Sequence, residues 1–205
     1  MAAVLTVGHS NLPYDAFLDL LRDAGVTAVG DVRSVPYSRR YPHFSAKALQ
    51  DRLRADGIAY VALGEELGGR PKDRSLFRDG LPDYERMAQA PAFRHGLRRV
   101  VDGASRHRIA LMCAERDPLD CHRCLLVGRA LHEHGVGVRH ILSDGGRKDQ
   151  ADIEKELLAL SGRDRSDLFA SPAERLAAAY RAARARRPAS SISMNLPSAS
   201  HAEHD

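Results

Sequence analysis

The stretch from Ile109 to Leu131, IALMCAERDPLDCHRCLLVGRAL, decides the fold. Ile109 to Met112 is an apolar run of the length of a buried strand; it stops at Cys113, where a charged loop holding Glu115, Arg116, Asp117 and Pro118 begins. Beyond Cys121, the apolar residues Leu125, Leu126, Ala130 and Leu131 recur at helical spacing until Gly135. The unit reads as strand, loop, helix. One thiol, Cys113, falls at the carboxyl end of the strand. Another, Cys121, falls at a helix start, where free backbone N–H groups and the helix dipole favour a thiolate or a bound anion.

The same alternation extends toward the N-terminus. Ala3 to Val7 is a short apolar run ending in the polar turn Gly8, His9, Ser10, Asn11, and an amphipathic stretch with Tyr14, Phe17, Leu18 and Leu21 on one face follows Pro13. Gly25 closes that helix, and Val26 to Val32 makes a second strand ending in Asp31 and Arg33. The segment from Ser34 to Phe44, with Pro36 and Pro42, is irregular. Ser45 caps a helix through Leu49 and Leu53 to Gly57, and Ile58 to Ala62 is a third strand. Leu63 to Pro82 is glycine-rich and loop-like, the pattern of a functional lid or of a hidden short helix. Helical patterns at Asp83 to Ala88 and Pro91 to Ala104 lead into the opening stretch.

Toward the C-terminus, Gly137 to Leu142 supplies a fifth strand and Asp152 to Leu160 a helix. Ser171, Pro172 and Glu174 form a capping-box signature for a last helix containing Leu176, Ala177 and Tyr180. Strands alternating with helices predict an α/β fold: a mainly parallel sheet of about five strands with helices on both faces, a Rossmann-like three-layer architecture. Residues 1–162 are expected to form one domain, 163–187 a basic helix packed on or flanking it, and 188–205, rich in Ser, Ala, Pro and His, a disordered tail.

Composition narrows the function classes. No segment approaches the length of a membrane span and Met1 to Val7 is too short for a signal peptide, so a cytoplasmic location without membrane contact is expected. Three cysteines within twelve residues do not make a disulfide framework; their clustering points to metal, redox or nucleophilic use. The chain carries a net charge of +4. The segment from Arg163 to Arg187 alone, with seven Arg against Asp164, Asp167 and Glu174, accounts for that much. Only 5% of residues are aromatic and none is Trp, so a stacking platform for single-stranded nucleic acid is poorly supported, although Tyr37, Tyr41, His43 and Phe44 lie beside Arg39 and Arg40.

In a parallel sheet, ligands bind at the carboxyl ends of the strands, and this rule sorts the polar residues. His9, Ser10 and Asn11 follow the first strand, Asp31 and Arg33 end the second, Gly69 and Arg70 lie after the third, and Cys113 and Glu115 follow the fourth. They are expected to share one edge, with Cys121, His122 and Arg123 at the helix start beside it.

The reading this supports best is an enzyme that binds a small anionic or nucleotide-like ligand there. Arg33, Arg70 and Arg123 hold the anion, with Ser10, Asn11, Gly69 and His122 around it. Cys113 or Cys121 is a nucleophile or redox thiol, and His9, Asp31 and Glu115 handle protons. No metal is assigned in this reading, and the residues name no cofactor. Two alternatives use the cysteines differently: a redox CxxC at Cys121 and Cys124, or zinc bound by Cys113, Cys121, Cys124 and a His. A rival from another class is a nucleic-acid-binding or accessory protein whose basic C-terminal helix contacts phosphates.

Several separated motifs resemble those of the bacterial family known as domain of unknown function 488. They are TVGHSN at Thr6 to Asn11, GDVRSVPYS at Gly30 to Ser38, LGGRP at Leu67 to Pro71, CAERDPLDCHR at Cys113 to Arg123 and RHI at Arg139 to Ile141. The resemblance spans about residues 4 to 145 and implies that the polar residues named above are the recurrent ones, while Cys124 is an addition to the pattern. It implies no reaction. A looser, fold-level likeness is to rhodanese domains, which also present AspValArg after a strand and a cysteine between strand and helix. Their compact CxxxxxR loop is absent, because Arg123 stands ten positions after Cys113.

Overall fold

In the computed structural model, residues 3–165 and 169–186 are described; the expected disordered tail, 188–205, lies outside them. The chain runs β1 (Val4–Gly8), α1 (Tyr14–Asp23), β2 (Ala28–Asp31), α2 (Ala46–Ala55), β3 (Ala59–Ala62) and α3 (Gly64–Leu67). It continues with β4 (Phe77–Arg78), β5 (Leu81–Pro82), α4 (Tyr84–Gln89), α5 (Pro91–Ala104), β6 (Ile109–Cys113) and α6 (Arg129–Glu133). The remaining elements are β7 (Val138–Ile141), β8 (Arg147–Asp149), α7 (Gln150–Leu160) and α8 (Pro172–Arg186).

The main sheet has six strands in the order β3-β2-β6-β1-β7-β8. The first five are parallel and β8 pairs antiparallel with β7. The α/β expectation holds, with one strand more than the hydrophobic pattern announces. That strand, ArgLysAsp at the sheet edge, buries no residue fully, so no apolar run marks it. The glycine-rich 63–82 segment contains the short helix α3, a 3₁₀ turn at Arg74–Leu76 and the hairpin β4-β5.

Alternation along the strands builds two cores. On β6, Ile109, Leu111 and Cys113 face one side and Ala110 and Met112 the other. Helices α1 and α2 cover the second face through Phe17, Leu18, Leu21, Leu49 and Leu53, and the remaining helices cover the first. Helix α1 follows Pro13, carries Asp15 in its first turn and stops at Gly25, whose φ of +64° suits a helix end. Burying Phe17 completely contributes roughly 2–3 kcal/mol. No described helix is long and apolar enough to cross a membrane.

Between β6 and α6 the helix is not α from the start. Arg123–Gly128 is π-helical, and all six of its residues are buried. The segment is enclosed by β6, α4 and α8, so it has no solvent face to enforce a 3.6-residue period. The last helix starts with the reciprocal bonds of a capping box: the Ser171 N–H donates to Glu174 Oε2 (2.7 Å) and the Glu174 N–H to Ser171 Oγ (3.3 Å).

A buried polar chain ties α8 to the sheet. His140 Nε2 donates to Gln150 Oε1 (2.8 Å), while Nδ1 accepts from Thr6 Oγ1 (2.8 Å). Gln150 Nε2 donates to the Tyr180 hydroxyl (2.8 Å), which donates to Glu154 (2.8 Å). Both ring nitrogens of His140 are engaged in the neutral form, and burial lowers its pKa from 6.5 to about 4. Between these values the unfolded chain takes up a proton that the folded chain refuses. Stability is therefore fully present above pH 6.5 and falls as the pH drops toward 4, by up to about 3 kcal/mol. His9, lowered to about 4 by burial and then by Arg33, acts in the same window and direction. The urea midpoint is expected to fall between pH 7 and pH 4.5, and an unchanged midpoint would contradict this.

Candidate functional site

The insertion of β6 between β1 and β2 brings the motifs together. Gly8 is in register with Cys113, and Asp31 with Met112, so the loop after β1 and the end of β2 flank the end of β6. The His9 N–H donates to the Cys113 carbonyl and the Ser10 N–H to the Ala114 carbonyl, both at 2.9 Å, which extends the pairing past the strand ends. Nothing at Gly8 blocks this approach. A Cβ there would lie 1.9 Å from the Glu115 carbonyl oxygen.

The tightest arrangement is a cluster of four side chains. The Cys113 and Cys121 sulfurs lie 2.8 and 3.1 Å from Glu115 Oε2, and Cys113 Sγ lies 3.5 Å from His122 Nδ1. One donor atom from each of Cys113, Glu115, Cys121 and His122 falls within 4.8 Å of all the others, a set that could hold a metal ion. Cys113, Cys121 and His122 are buried. The His122 Nε2–H donates to the Val32 carbonyl (2.9 Å), and this leaves Nδ1 as the face presented to the cluster.

Cys121, one residue before the His122 that caps the π-helical segment, closes the 3₁₀ turn Pro118–Asp120. Its backbone is extended (φ −129°, ψ 138°), its carbonyl accepts from the Cys124 and Leu125 N–H groups, and its sulfur accepts from the Arg123 N–H (3.5 Å). Burial raises both thiols, but they separate. Cys113 is pushed well above the ordinary value by burial, by Cys121 and by Glu115. For Cys121, burial is outweighed by the bond to Cys113 and by Arg123 and His122, which hold it well below. His122 is raised despite burial, through Cys121 and Glu115.

Beside the cluster, Arg33 and Asp31 form a buried bidentate pair. Arg33 Nε and Nη2 donate to the Asp31 carboxylate at 2.8 and 2.6 Å, and the Arg33 backbone N–H adds a third bond at 3.1 Å. Tyr60 donates to Asp31 Oδ2 (2.8 Å). His9 accepts from Arg33 at Nε2 (3.2 Å), donates from Nδ1 to the Ser10 carbonyl (2.9 Å) and stacks on Phe44 at 4.1 Å between centroids. Asp31 and His9 therefore hold Arg33 in place. The proton-handling role expected of them has no free atom to perform it with in this geometry.

A cavity of about 180 Å³ opens onto this edge, and Cys113, Glu115 and His122 form its floor. His9, Arg33 and Arg70 stand in its wall, with Tyr84 and Arg184 from α4 and α8. Arg184 lies over the Tyr84 ring, 5.0 Å from its centroid. Gly69 passes directly across His122, where a Cβ would meet the ring at 2.7 Å; this is what brings Arg70 to the pocket. The Arg70 N–H is held by Ser34 Oγ (2.9 Å).

Three further sequence expectations change. Arg123 is fully buried behind the cluster, and its guanidinium donates to the backbone carbonyls of Glu115 (2.6 Å) and Arg116 (2.9 Å), so it shapes the loop and does not line the pocket. Ser10 and Asn11 are bound to Arg116 and line a shallow neighbouring surface. Cys124 faces Gln150, outside the four-residue cluster, and neither a CxxC pair with Cys121 nor a place in the expected zinc set survives that orientation. Tyr60, Phe44, Tyr84 and Arg184 were missed, because only their tertiary contacts bring them to the site.

Comparison with curated proteins and with solved structures found no match. The family model described as domain of unknown function DUF488 matches residues 13–130, a span that takes in Asp31, Arg33, Arg70 and the whole cluster. More than half of the chain is matched, and the protein belongs to the DUF488 family.

Proposed function

We propose that the protein is an enzyme acting on a small anionic molecule bound at the carboxyl edge of its sheet, with the Cys113, Glu115, Cys121, His122 cluster as its reactive centre. One observation carries this reading. The cavity that reaches Cys113, Glu115 and His122 of the cluster is walled by three arginines, Arg33, Arg70 and Arg184, so a bound anion lies beside the reactive groups. Arg33 arrives pre-oriented by Asp31 and His9, and the exposed Arg70 supplies a second donor. The three free, buried thiols fit a reducing compartment, in keeping with a cytoplasmic location.

The nucleic-acid reading is weaker because three of the four described arginines of α8 are engaged by the protein itself. Arg181 pairs with Glu85 (2.8 Å), Arg175 donates to the carbonyls of Arg163 and Arg165, and Arg184 enters the pocket wall.

The test is calorimetric titration of the full chain with inorganic phosphate and pyrophosphate. Arg70→Ala is expected to weaken binding about tenfold, roughly 1.4 kcal/mol, without lowering the urea midpoint, since the side chain is exposed. Equal binding by wild type and variant would sink the proposal.

A further inference from the structure

We infer that Cys113, Glu115, Cys121 and His122 form a zinc site, with one divalent ion held by the two sulfurs, the carboxylate and His122 Nδ1. This deepens the reading above by specifying its reactive centre, but it does not depend on the anion.

The first observation is the convergence of three anion-forming groups on one point. Two sulfurs lie 2.8 and 3.1 Å from the same carboxylate oxygen in a buried setting. Such groups cannot all ionise together unless protons or a cation stand between them. The donors of a tetrahedral zinc site lie about 3–4 Å apart, given metal–ligand distances near 2.0–2.3 Å. The four donor atoms here all lie within 4.8 Å of one another, with separations of 2.8 Å (Cys113 to Glu115), 3.1 Å (Cys121 to Glu115) and 3.5 Å (Cys113 to His122), close enough to draw onto one ion.

The second observation is the surroundings. The imidazole of a metal ligand characteristically donates its other N–H to a backbone carbonyl, as His122 Nε2 does to Val32. The Arg123 N–H points at Cys121 Sγ, and the Arg123 guanidinium pins the Glu115 carbonyl. Gly69 keeps the His122 ring unobstructed. Two thiolates, a carboxylate and a neutral imidazole around a divalent ion leave one net negative charge, and the buried Arg123 guanidinium, which interacts with both sulfurs, balances it. Thiolate and imidazole donors favour zinc over calcium or magnesium. The cavity reaches Cys113, Glu115 and His122, so the ion has an entry path and one side open to a ligand.

The experiment uses the full chain, stripped with chelator under reducing conditions and titrated with zinc, followed by native mass spectrometry. Cobalt(II) serves as the spectroscopic probe. One zinc per chain is expected, together with a cobalt spectrum showing tetrahedral visible bands and thiolate charge transfer. Cys113→Ser and Cys121→Ser should weaken zinc binding by a hundredfold or so. Glu115→Gln should keep the charge-transfer band, alter the visible bands and lose about tenfold or more in affinity. Cys124→Ser should leave both the stoichiometry and the spectrum unchanged.

The inference falls if the wild-type chain takes up no zinc, if its cobalt spectrum lacks thiolate charge transfer, or if a Cys113–Cys121 disulfide forms in zinc-supplied protein. The cobalt spectrum and the Glu115→Gln variant decide the matter even where a cysteine variant fails to fold. Phosphate titration of the same preparations separates the two proposals. Phosphate binding by a chain that takes up no zinc overturns only the zinc site; a zinc-loaded chain that ignores phosphate and pyrophosphate overturns only the anion pocket.

Discussion

Asp31→Asn is expected to destabilise the protein by about 3 kcal/mol at pH 7, measured by urea unfolding. The pair it breaks is almost entirely enclosed, with Asp31 1% and Arg33 5% exposed. A carboxylate and a guanidinium removed from water each carry a large desolvation cost, which their mutual bonds at 2.6 and 2.8 Å offset. Asn keeps one acceptor but no charge, so the buried Arg33 cation loses its counterion while remaining out of water. Tyr60 must also share what acceptor capacity remains. The same logic predicts that Asp31→Leu combined with Arg33→Met regains most of the lost stability, because both charges then leave the interior together. A single Asp31→Asn cost below about 1 kcal/mol would show that the pair reaches water readily.

Gly8→Ala is expected to cost about 3 kcal/mol and to weaken zinc binding in parallel. The cause is steric, because the new Cβ would stand 1.9 Å from the Glu115 carbonyl oxygen and 3.0 Å from Arg123 Nη1. Neither neighbour is free to yield. The Glu115 carbonyl is held by Arg123 at 2.6 Å, and the bonds from His9 and Ser10 to Cys113 and Ala114 fix the strand ends against each other. Relief requires the 114–116 loop to move outward, which takes the Glu115 carboxylate away from both sulfurs. Urea unfolding and the cobalt spectrum of the same variant check both consequences. A wild-type midpoint with an intact spectrum would mean that the loop shifts without penalty.

Much of the fold was legible in the sequence because its signals are short-range. The apolar run before Cys113, the prolines and glycines that punctuate the first half, and the capping residues Ser171 and Glu174 each act within a few positions, and each produced the expected element. Where the local signal failed, a longer-range force had replaced it. Strand β8 is held by pairing with β7 and lacks an apolar pattern. The π-helical turn at Arg123–Gly128 is enclosed on every side. Cys124, three residues from Cys121, looked like its partner, but the helix turns it toward Gln150.

The sequence by itself determined that His9, Asp31, Arg33, Arg70, Cys113 and Glu115 stand at or after strand ends, since period and punctuation place the carboxyl ends of the five parallel strands and a parallel sheet gathers those ends on one edge. Only the tertiary structure decided which of them touch. The insertion of β6 between β1 and β2 is settled by packing among segments some eighty to a hundred residues apart, and it makes Cys113 the neighbour of both Gly8 and Asp31. The same packing turns Arg123 inward onto backbone carbonyls and gives the thiols a carboxylate as their shared neighbour. Local patterning encodes which face a residue takes. It does not encode which distant residue waits there.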